Sequence, residues 1–311
     1  MFHFVSSEIK KRMSHVDKYL SMKRYSCINR DRVNCDIELF KGYGINKIKR
    51  QEKLILSMTS YPKRIYDIHF AIYSLMKQTI KPDEFILWLS KEEFPNGEKD
   101  LPERVLKWKE HGLSIRFCEN ISSYKKIIPA YREYGDDCTI VTADDDVFYK
   151  EDWLEKLYQA HLKFPKDIIA HKVSKIIVNS DGTLRPYNSW PDHINDDSSS
   201  YLNFFIGVGG VLYPPKSLYK DVCNEDLFKK LSPTADDVWL WAMALMNNTK
   251  IRVVSLPYGN PIYTNADRMC CLTDDGQLFE VNCMDKKLND TYLNNILKQY
   301  TEGARKIGRR S

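Results

Sequence analysis

The chain has 311 residues, 43% of them apolar and 29% charged, with a formal net charge of +5. This is the balance of an ordinary soluble globular protein, and no stretch approaches the roughly 20 apolar residues of a membrane span. Met1 to Leu20 are interrupted by Glu8, Lys10, Lys11, Arg12 and Asp17, so secretion by a cleaved signal is not expected.

The length suits one large α/β domain with extensions, or two modest domains. Of the eight cysteines, only Cys270 and Cys271 are adjacent, and Cys118 and Cys138 fall in apparent strands as small core hydrophobes. A reducing, cytoplasmic setting follows. The positive charge gathers at the ends: Lys10, Lys11, Arg12, Lys18, Lys23, Arg24, Arg30 and Arg32 at the start, Arg305, Lys306, Arg309 and Arg310 at the finish. Such clusters are either solvated tails or a peripheral contact with anionic lipid at the inner face of a membrane. Nucleic acid is not an expected partner, because these residues form no aromatic-interleaved binding motif.

In chain order, residues 1–50 carry weak helical patterning and no strong strand. The first strand is Leu54-Ile55-Leu56-Ser57-Met58, and it runs into Thr59-Ser60-Tyr61-Pro62-Lys63-Arg64. Ile65, Ile68, Ile72, Leu75 and Met76 then recur at helical spacing, with Pro62 marking the helix start. Glu84 to Leu89 reads as a second strand, Pro102 to His111 as a helix stopped by Gly112, and Ser114 to Cys118 as a third strand. Lys125 to Tyr134 is helical around Pro129, and Cys138 to Ala143 is a fourth strand, short and continuously apolar as in a parallel sheet buried on both faces. This alternation is βαβ. It lacks the Gly-x-Gly-x-x-Gly turn, so a nucleotide here is not cradled as NAD is.

Asp144, Asp145 and Asp146 follow the fourth strand directly. Adjacent carboxylates raise one another's pKa unless a cation or hydrogen-bond donors offset the charge, and ligands of open α/β sheets bind beyond the carboxyl ends of the strands. Asp152 with Glu155 supplies a separate capping box for the next helix, so the triplet is expected to hold a hard divalent cation, Mg²⁺ or Mn²⁺, shared with substrate phosphates; the alternatives are a helix cap or a solvated turn.

Trp153, Leu154, Leu157, Tyr158 and Leu162 form the next helical stripe, and Ile168 to Val178 one or two strands. Asp192 to Ser200 is a loop, and Phe204 to Pro215 is an apolar, glycine-studded segment whose glycines permit close approach. Asp236 and Asp237 open a helix bearing Val238, Leu240, Trp241, Ala244 and Leu245. One aspartate suffices as a cap; a second, facing the metal site, could act as a general base. Lys63 with Arg64, and Lys125 with Lys126, flank the same strand ends and could neutralise a diphosphate. Tyr61 could stack on a base, and Trp239 and Trp241 either face a sugar or fill the core. His171 reads as a hydrogen-bonded core histidine before a metal ligand, and His69 as surface or packing.

These motifs in this order resemble the GT-A glycosyltransferases, especially bacterial enzymes of surface-polysaccharide synthesis, capsule or lipopolysaccharide, over roughly residues 53 to 298. The resemblance implies a GT-A type, Rossmann-like α/β fold with a mostly parallel central sheet flanked by helices, as a single catalytic domain at 51–285. A basic extension at 1–50 and a C-terminal helix with a basic tail at 286–311 flank it. It implies a metal held by Asp144 and Asp146 and a donor, by default a UDP-sugar, contacted by Thr59, Tyr61, Arg64, Lys125, Lys126, Asp144 and Asp145. Gly209, Gly210 and Trp239 are expected to face a glycan or lipid-linked glycan acceptor. Asp237 matches the base of inverting members, while Asp236 departs from their usual Glu-Asp pair. A glycoside hydrolase also uses two carboxylates but needs no metal-bound diphosphate; a non-catalytic carbohydrate-binding or assembly protein is the other alternative. An aspartyl phosphatase would carry Thr or Val where this chain has Phe148.

Overall fold

The computed structural model describes residues 13, 16–17, 20–48, 50–192, 194, 197–254, 261–269, 282 and 288–308. Lys10, Lys11, Arg12, Lys18, Cys270, Cys271, Arg309, Arg310 and the side chains of Arg305 and Lys306 lie outside the described residues, and with them most of the expected basic ends. Among the described residues no helix is long and apolar enough to cross a membrane.

The elements are α1 (Arg30–Glu38), β1 (Leu54–Thr59), α2 (Ile68–Met76), β2 (Glu84–Ser90), α3 (Glu103–Leu106), β3 (Leu113–Cys118), α4 (Ile128–Tyr134), β4 (Thr139–Ala143) and α5 (Trp153–Lys163). They continue as β5 (Ile168–Ala170), β6 (Val173–Lys175), β7 (Ser199–Ser200), β8 (Asn203–Phe205), β9 (Val211–Tyr213), α6 (Glu225–Leu231), α7 (Asp236–Met246), β10 (Ile251–Val253), α8 (Ala266–Met269), α9 (Leu288–Gln299) and α10 (Thr301–Gly308). Eight strands form the central sheet in the order β3-β2-β1-β4-β9-β5-β10-β7. Only β9 and β7 run against the others. This is the mostly parallel, helix-flanked, Rossmann-like sheet of the GT-A expectation. β6 and β8 pair separately.

Side chains alternate across the sheet with the strand period of two. Leu54, Leu56, Met58, Leu87, Val141, Ile169 and Leu212 pack on one side with α1, α2, α3 and α5. Ile55, Ile86, Ile140, Ile168 and Val211 pack on the other with α4, α6, α7 and α9. Burial on both faces explains why β1 and β4 read as unbroken apolar runs rather than as alternating ones. The expected boundaries at 50 and 286 do not separate cores: Val33 and Ile37 of α1 are buried in the first layer, and Tyr292, Leu293, Ile296 and Ile307 in the second.

Chain order from β1 moves one way along the sheet to β2 and β3, and the other way to β4. The crevice between β1 and β4 is therefore the topological switch point, where ligands of such sheets sit. The segments beyond these two strands are Ser60 to Asp67 and the aspartate triplet.

Three local expectations are corrected. Pro62 lies in a turn closed by bonds from the Arg64 and Ile65 N–H groups to the Tyr61 carbonyl, both 3.0 Å, and the helix begins only at Ile68. Asp152 makes no side-chain cap; it pairs with Lys156 at 2.6 Å while Glu155 accepts from Thr79. Leu162 is 56% exposed, and the buried stripe of α5 ends on His161 instead.

Gly210 has φ +91°, and a Cβ on it would stand 2.2 Å from the Trp153 ring. Backbone strain and overpacking act together there, so Gly210→Ala should lower the unfolding free energy by roughly 2–4 kcal/mol in a urea titration. An unchanged midpoint would refute this packing.

Candidate active site

β1 exits into the turn Ser60 to Asp67. The Thr59 hydroxyl donates to the Trp88 carbonyl at 2.8 Å, tying this exit to β2. Ser60 Oγ donates to Asp145 Oδ2 at 2.6 Å, and Arg64 Nη1 donates at 2.8 Å both to Asp145 Oδ1 and to Asp146 Oδ2. Asp145, the middle aspartate, is thus the buried anchor that joins the two strand exits. Burial acts to lower the Arg64 pKa, but the charges of Asp145 and Asp146 outweigh it and the net direction is upward. The Arg64 guanidinium lies 5.5 Å from the Tyr61 ring centroid.

The triplet's backbone is clamped at both ends. The Asp144 N–H donates to the Tyr149 hydroxyl at 2.7 Å, and the Asp146 carbonyl accepts from Thr264 N–H at 2.9 Å and Thr264 Oγ1 at 3.2 Å. Asp146 is pushed up to about 6 by burial and, against the pull of Arg64, by its neighbours Asp145 and Asp144.

Lys126 connects the two acidic motifs. Its carbonyl accepts from Ser57 Oγ of β1 at 2.6 Å, which fixes the backbone, and its Nζ lies 3.0 Å from Asp144 Oδ1 and 3.1 Å from Asp236 Oδ2. The ammonium is held well above its ordinary range: burial lowers it, and the charges of Asp144, Asp236 and Asp237 override burial. Lys125, expected beside it, turns away into a buried ion pair with Glu93. The two adjacent lysines therefore do not converge on one ligand.

Asp236 and Asp237 occupy the first turn of α7, where the helix dipole favours negative charge. Asp236 accepts from Ser123 Oγ at 3.0 Å on Oδ1, and its Oδ2 faces Lys126 Nζ at 3.1 Å as an ion pair without a hydrogen bond. Asp237 accepts the Gly207 N–H on Oδ2 at 2.9 Å, while its buried Oδ1 has no hydrogen-bond partner among the described residues. Its pKa is pushed up to about 7 by burial and by Asp236, against Lys126 and Gly207. A carboxylate with a free lone pair and a pKa near neutrality is suited to accept a proton.

The acceptor-side expectations change. Trp239 is fully buried, its indole N–H bonded to the Val222 carbonyl at 3.0 Å and its ring against Phe228 and Tyr300, so it belongs to the core and faces no sugar. The Gly209 carbonyl accepts from Trp153 Nε1 at 2.8 Å, and a Cβ there would meet Lys172 at 2.6 Å; Gly210 is packed on Trp153. Both glycines serve internal packing. Gly207 is the glycine at the site: a Cβ would stand 2.8 Å from Asp237 Oδ1 and 2.9 Å from Lys126 Nζ. His171, bonded to the Trp153 carbonyl at 3.0 Å and pushed down to about 4 by burial, is a core histidine, and His69 is buried packing. Ser60, Ser123, Tyr149 and Thr264 were not foreseen. Each acts through a hydroxyl, and single hydroxyls carry no pattern in a sequence.

Among the described residues no group of three or more His, Cys, Asp or Glu side chains is arranged to hold a metal by itself. Asp144 and Asp146 supply two hard oxygen donors, and Asp146 stays elevated although it shares Arg64 with Asp145. That donor set fits Mg²⁺ or Mn²⁺, which complete their shells with substrate phosphate and water.

No family model matches the sequence, nor does any curated protein. Similar solved structures include a mannosyltransferase from Pyrobaculum calidifontis in complex with GDP-Man and Mn²⁺, at 12% identity over 98% of this chain and 84% of that one, TM-score 0.43. S. aureus TarS 1-349 is 14% identical over 80% of this chain and 72% of that one, TM-score 0.42. The inositol-1-phosphate CTP transferase from T. maritima is 14% identical over 81% and 98%, TM-score 0.39. Likenesses this distant do not bear on what the chain does; the site does.

Asp237 ionises at an ordinary 3.8 when unfolded and at about 7 when folded. The folded state holds this proton more tightly, so a penalty for ionisation is absent below the unfolded value, grows as pH rises and is complete above the folded one. Asp237→Asn removes that penalty. Thermal melts without divalent metal should therefore shift in the variant's favour between about pH 5 and pH 8.5, and a pH-independent difference would refute the assignment.

Proposed function

We propose that the chain is a glycosyltransferase that moves a sugar from a nucleotide-diphosphate donor, first to be tested as a UDP-sugar, to a hydroxyl of a glycan or lipid-linked glycan in surface-polysaccharide synthesis. The observation that carries this reading is Lys126 Nζ standing between Asp144 at 3.0 Å and Asp236 at 3.1 Å. It brings a strand-end carboxylate set suited to a metal-bound diphosphate next to a helix-start carboxylate suited to proton abstraction.

In this reading the donor diphosphate lies in the crevice between β1 and β4. Arg64 and Lys126 face its negative charge, and Tyr61 flanks the base. Asp144 and Asp146 would hold a divalent cation, which when bound would supply Lewis-acid stabilisation of the departing diphosphate. Asp237 Oδ1 accepts the proton of the acceptor hydroxyl as that oxygen bonds to the anomeric carbon and the carbon–oxygen bond to the diphosphate breaks. One displacement gives inversion. Asp236 holds Lys126 and Ser123 and so fixes the base's surroundings. In this reading the reaction occurs in the cytoplasm at the inner membrane face, where a lipid-linked acceptor would be met through the basic ends.

The test is release of nucleoside diphosphate from a panel of nucleotide sugars with Mn²⁺ and with EDTA. Asp146→Ala should abolish metal-dependent turnover while the fold persists. Asp237→Asn should lower kcat by roughly 10²–10⁴ with donor binding retained, and the native rate should rise with pH through about 7. Glycan cleavage that ignores EDTA and needs no nucleotide sugar would instead identify a hydrolase. Donor-induced thermal stabilisation without turnover would identify a binding protein.

A further inference from the structure

The N-terminal segment reaches the triplet through a layer of contacts outside the carboxylates themselves. Arg30, the first residue of α1, grips Asp67 with both arms, Nη2 to Oδ1 at 2.7 Å and Nη1 to Oδ2 at 3.2 Å, and its guanidinium lies 4.6 Å over the Phe70 ring. Nη1 also lies 3.4 Å from the Thr264 carbonyl, and Asn265 Nδ2 donates to Asp67 Oδ2 at 3.3 Å. Asp67 ends the turn that carries Arg64, and Thr264 holds the Asp146 carbonyl with two hydrogen bonds.

Backbone bonds run in parallel with these contacts. Tyr263 N–H donates to the Ser26 carbonyl at 2.6 Å and its carbonyl accepts from Ile28 N–H at 3.2 Å. Phe148 N–H donates to the Ile262 carbonyl at 2.7 Å. Residues 26–28, 262–264 and 146–148 thus lie side by side, with Tyr263 bridged to both Cys27 and Val147. Three segments distant in sequence form one small ladder behind the aspartate turn.

We propose that Arg30 is a positioning residue for the Asp144 and Asp146 cation site, acting through Asp67 on the Arg64 turn and through Thr264 on the Asp146 carbonyl. The inference rests on the donor-clamp reading given above. Its physical basis is that a single exposed ion pair contributes little, whereas a forked arginine–carboxylate contact stacked on an aromatic ring and joined to further bonds fixes a geometry. The triplet turn has no regular secondary structure to hold it. Its carboxylates keep a productive spacing only if neighbouring segments hold the backbone, and loss of such outer contacts typically costs 10- to 100-fold in metal affinity.

The test is Mn²⁺ titrated alone into the full chain, free Mn²⁺ being read by electron paramagnetic resonance below the melting temperature. Arg30→Ala should weaken binding about 10-fold, with Arg30→Lys intermediate because lysine lacks the fork. Thr264→Val, which removes one hydroxyl bond and keeps the side chain's shape, should weaken it several-fold even if Arg30→Ala folds poorly. Val33→Ala loosens the buried face of the same helix without touching the network; it should lower the melting temperature and leave Mn²⁺ affinity unchanged. Native affinity in both Arg30→Ala and Thr264→Val would overturn the inference while the donor-clamp reading stands, provided Asp146→Ala abolishes binding. Absence of Mn²⁺ binding in the native chain, both alone and with a nucleoside diphosphate present, would overturn the donor-clamp reading itself, and this inference with it.

Discussion

A buried ammonium between two carboxylates from segments distant in sequence organises this protein. Lys126 faces Asp144 at the exit of β4 and Asp236 at the start of α7. Two such carboxylates without a cation would repel each other and carry a desolvation cost of several kcal/mol each. The contact is therefore a constraint on the whole chain. It sets where the glycine segment must pass, because the gap left for Gly207 has no room for a Cβ beside Asp237 and Lys126.

The same electrostatic demand divides the five aspartates into roles. Asp145 is satisfied by Ser60 and Arg64, and Asp236 by Ser123 and Lys126. Asp144 and Asp146 each share a cation with a neighbour, and Asp237 keeps an oxygen open. Asp145 and Asp236 each gain a serine hydroxyl besides the shared cation, and Asp237 Oδ1 is left without a hydrogen bond. Because the open carboxylates lie at the switch point between β1 and β4, both the crevice and the charge that fills it come from the sheet's order of strands.

Much of the fold was legible because the signals were local. The apolar runs of β1 and β4, the stop at Gly112, and Pro129 in the first turn of α4 are each dictated by a few adjacent residues. The failures came where a distant partner decided. Pro62 is compatible with a helix start, yet Ser60 and Arg64 are drawn to Asp145, and that pull keeps the segment a turn until Ile68. Asp152 and Glu155 have capping-box spacing, yet Lys156 and Thr79 compete for them. Trp239 follows an acidic pair as a sugar-facing ring might, yet it points from α7 into the core.

By itself the sequence determined that a run of aspartates ends a buried parallel strand and that a second acidic pair opens a buried helix. Those are statements about neighbours along the chain, where side-chain period and charge density act directly. Only the tertiary structure decided that Lys126 and not Lys125 joins them, that Asp236 and not Asp237 faces Lys126 and Ser123, and that Gly207 and not Gly209 borders the site. It also decided that residues 26–30 lie behind the aspartate triplet. Adjacent residues on a turn point in different directions, and which one meets a charge depends on backbone brought from elsewhere in the fold.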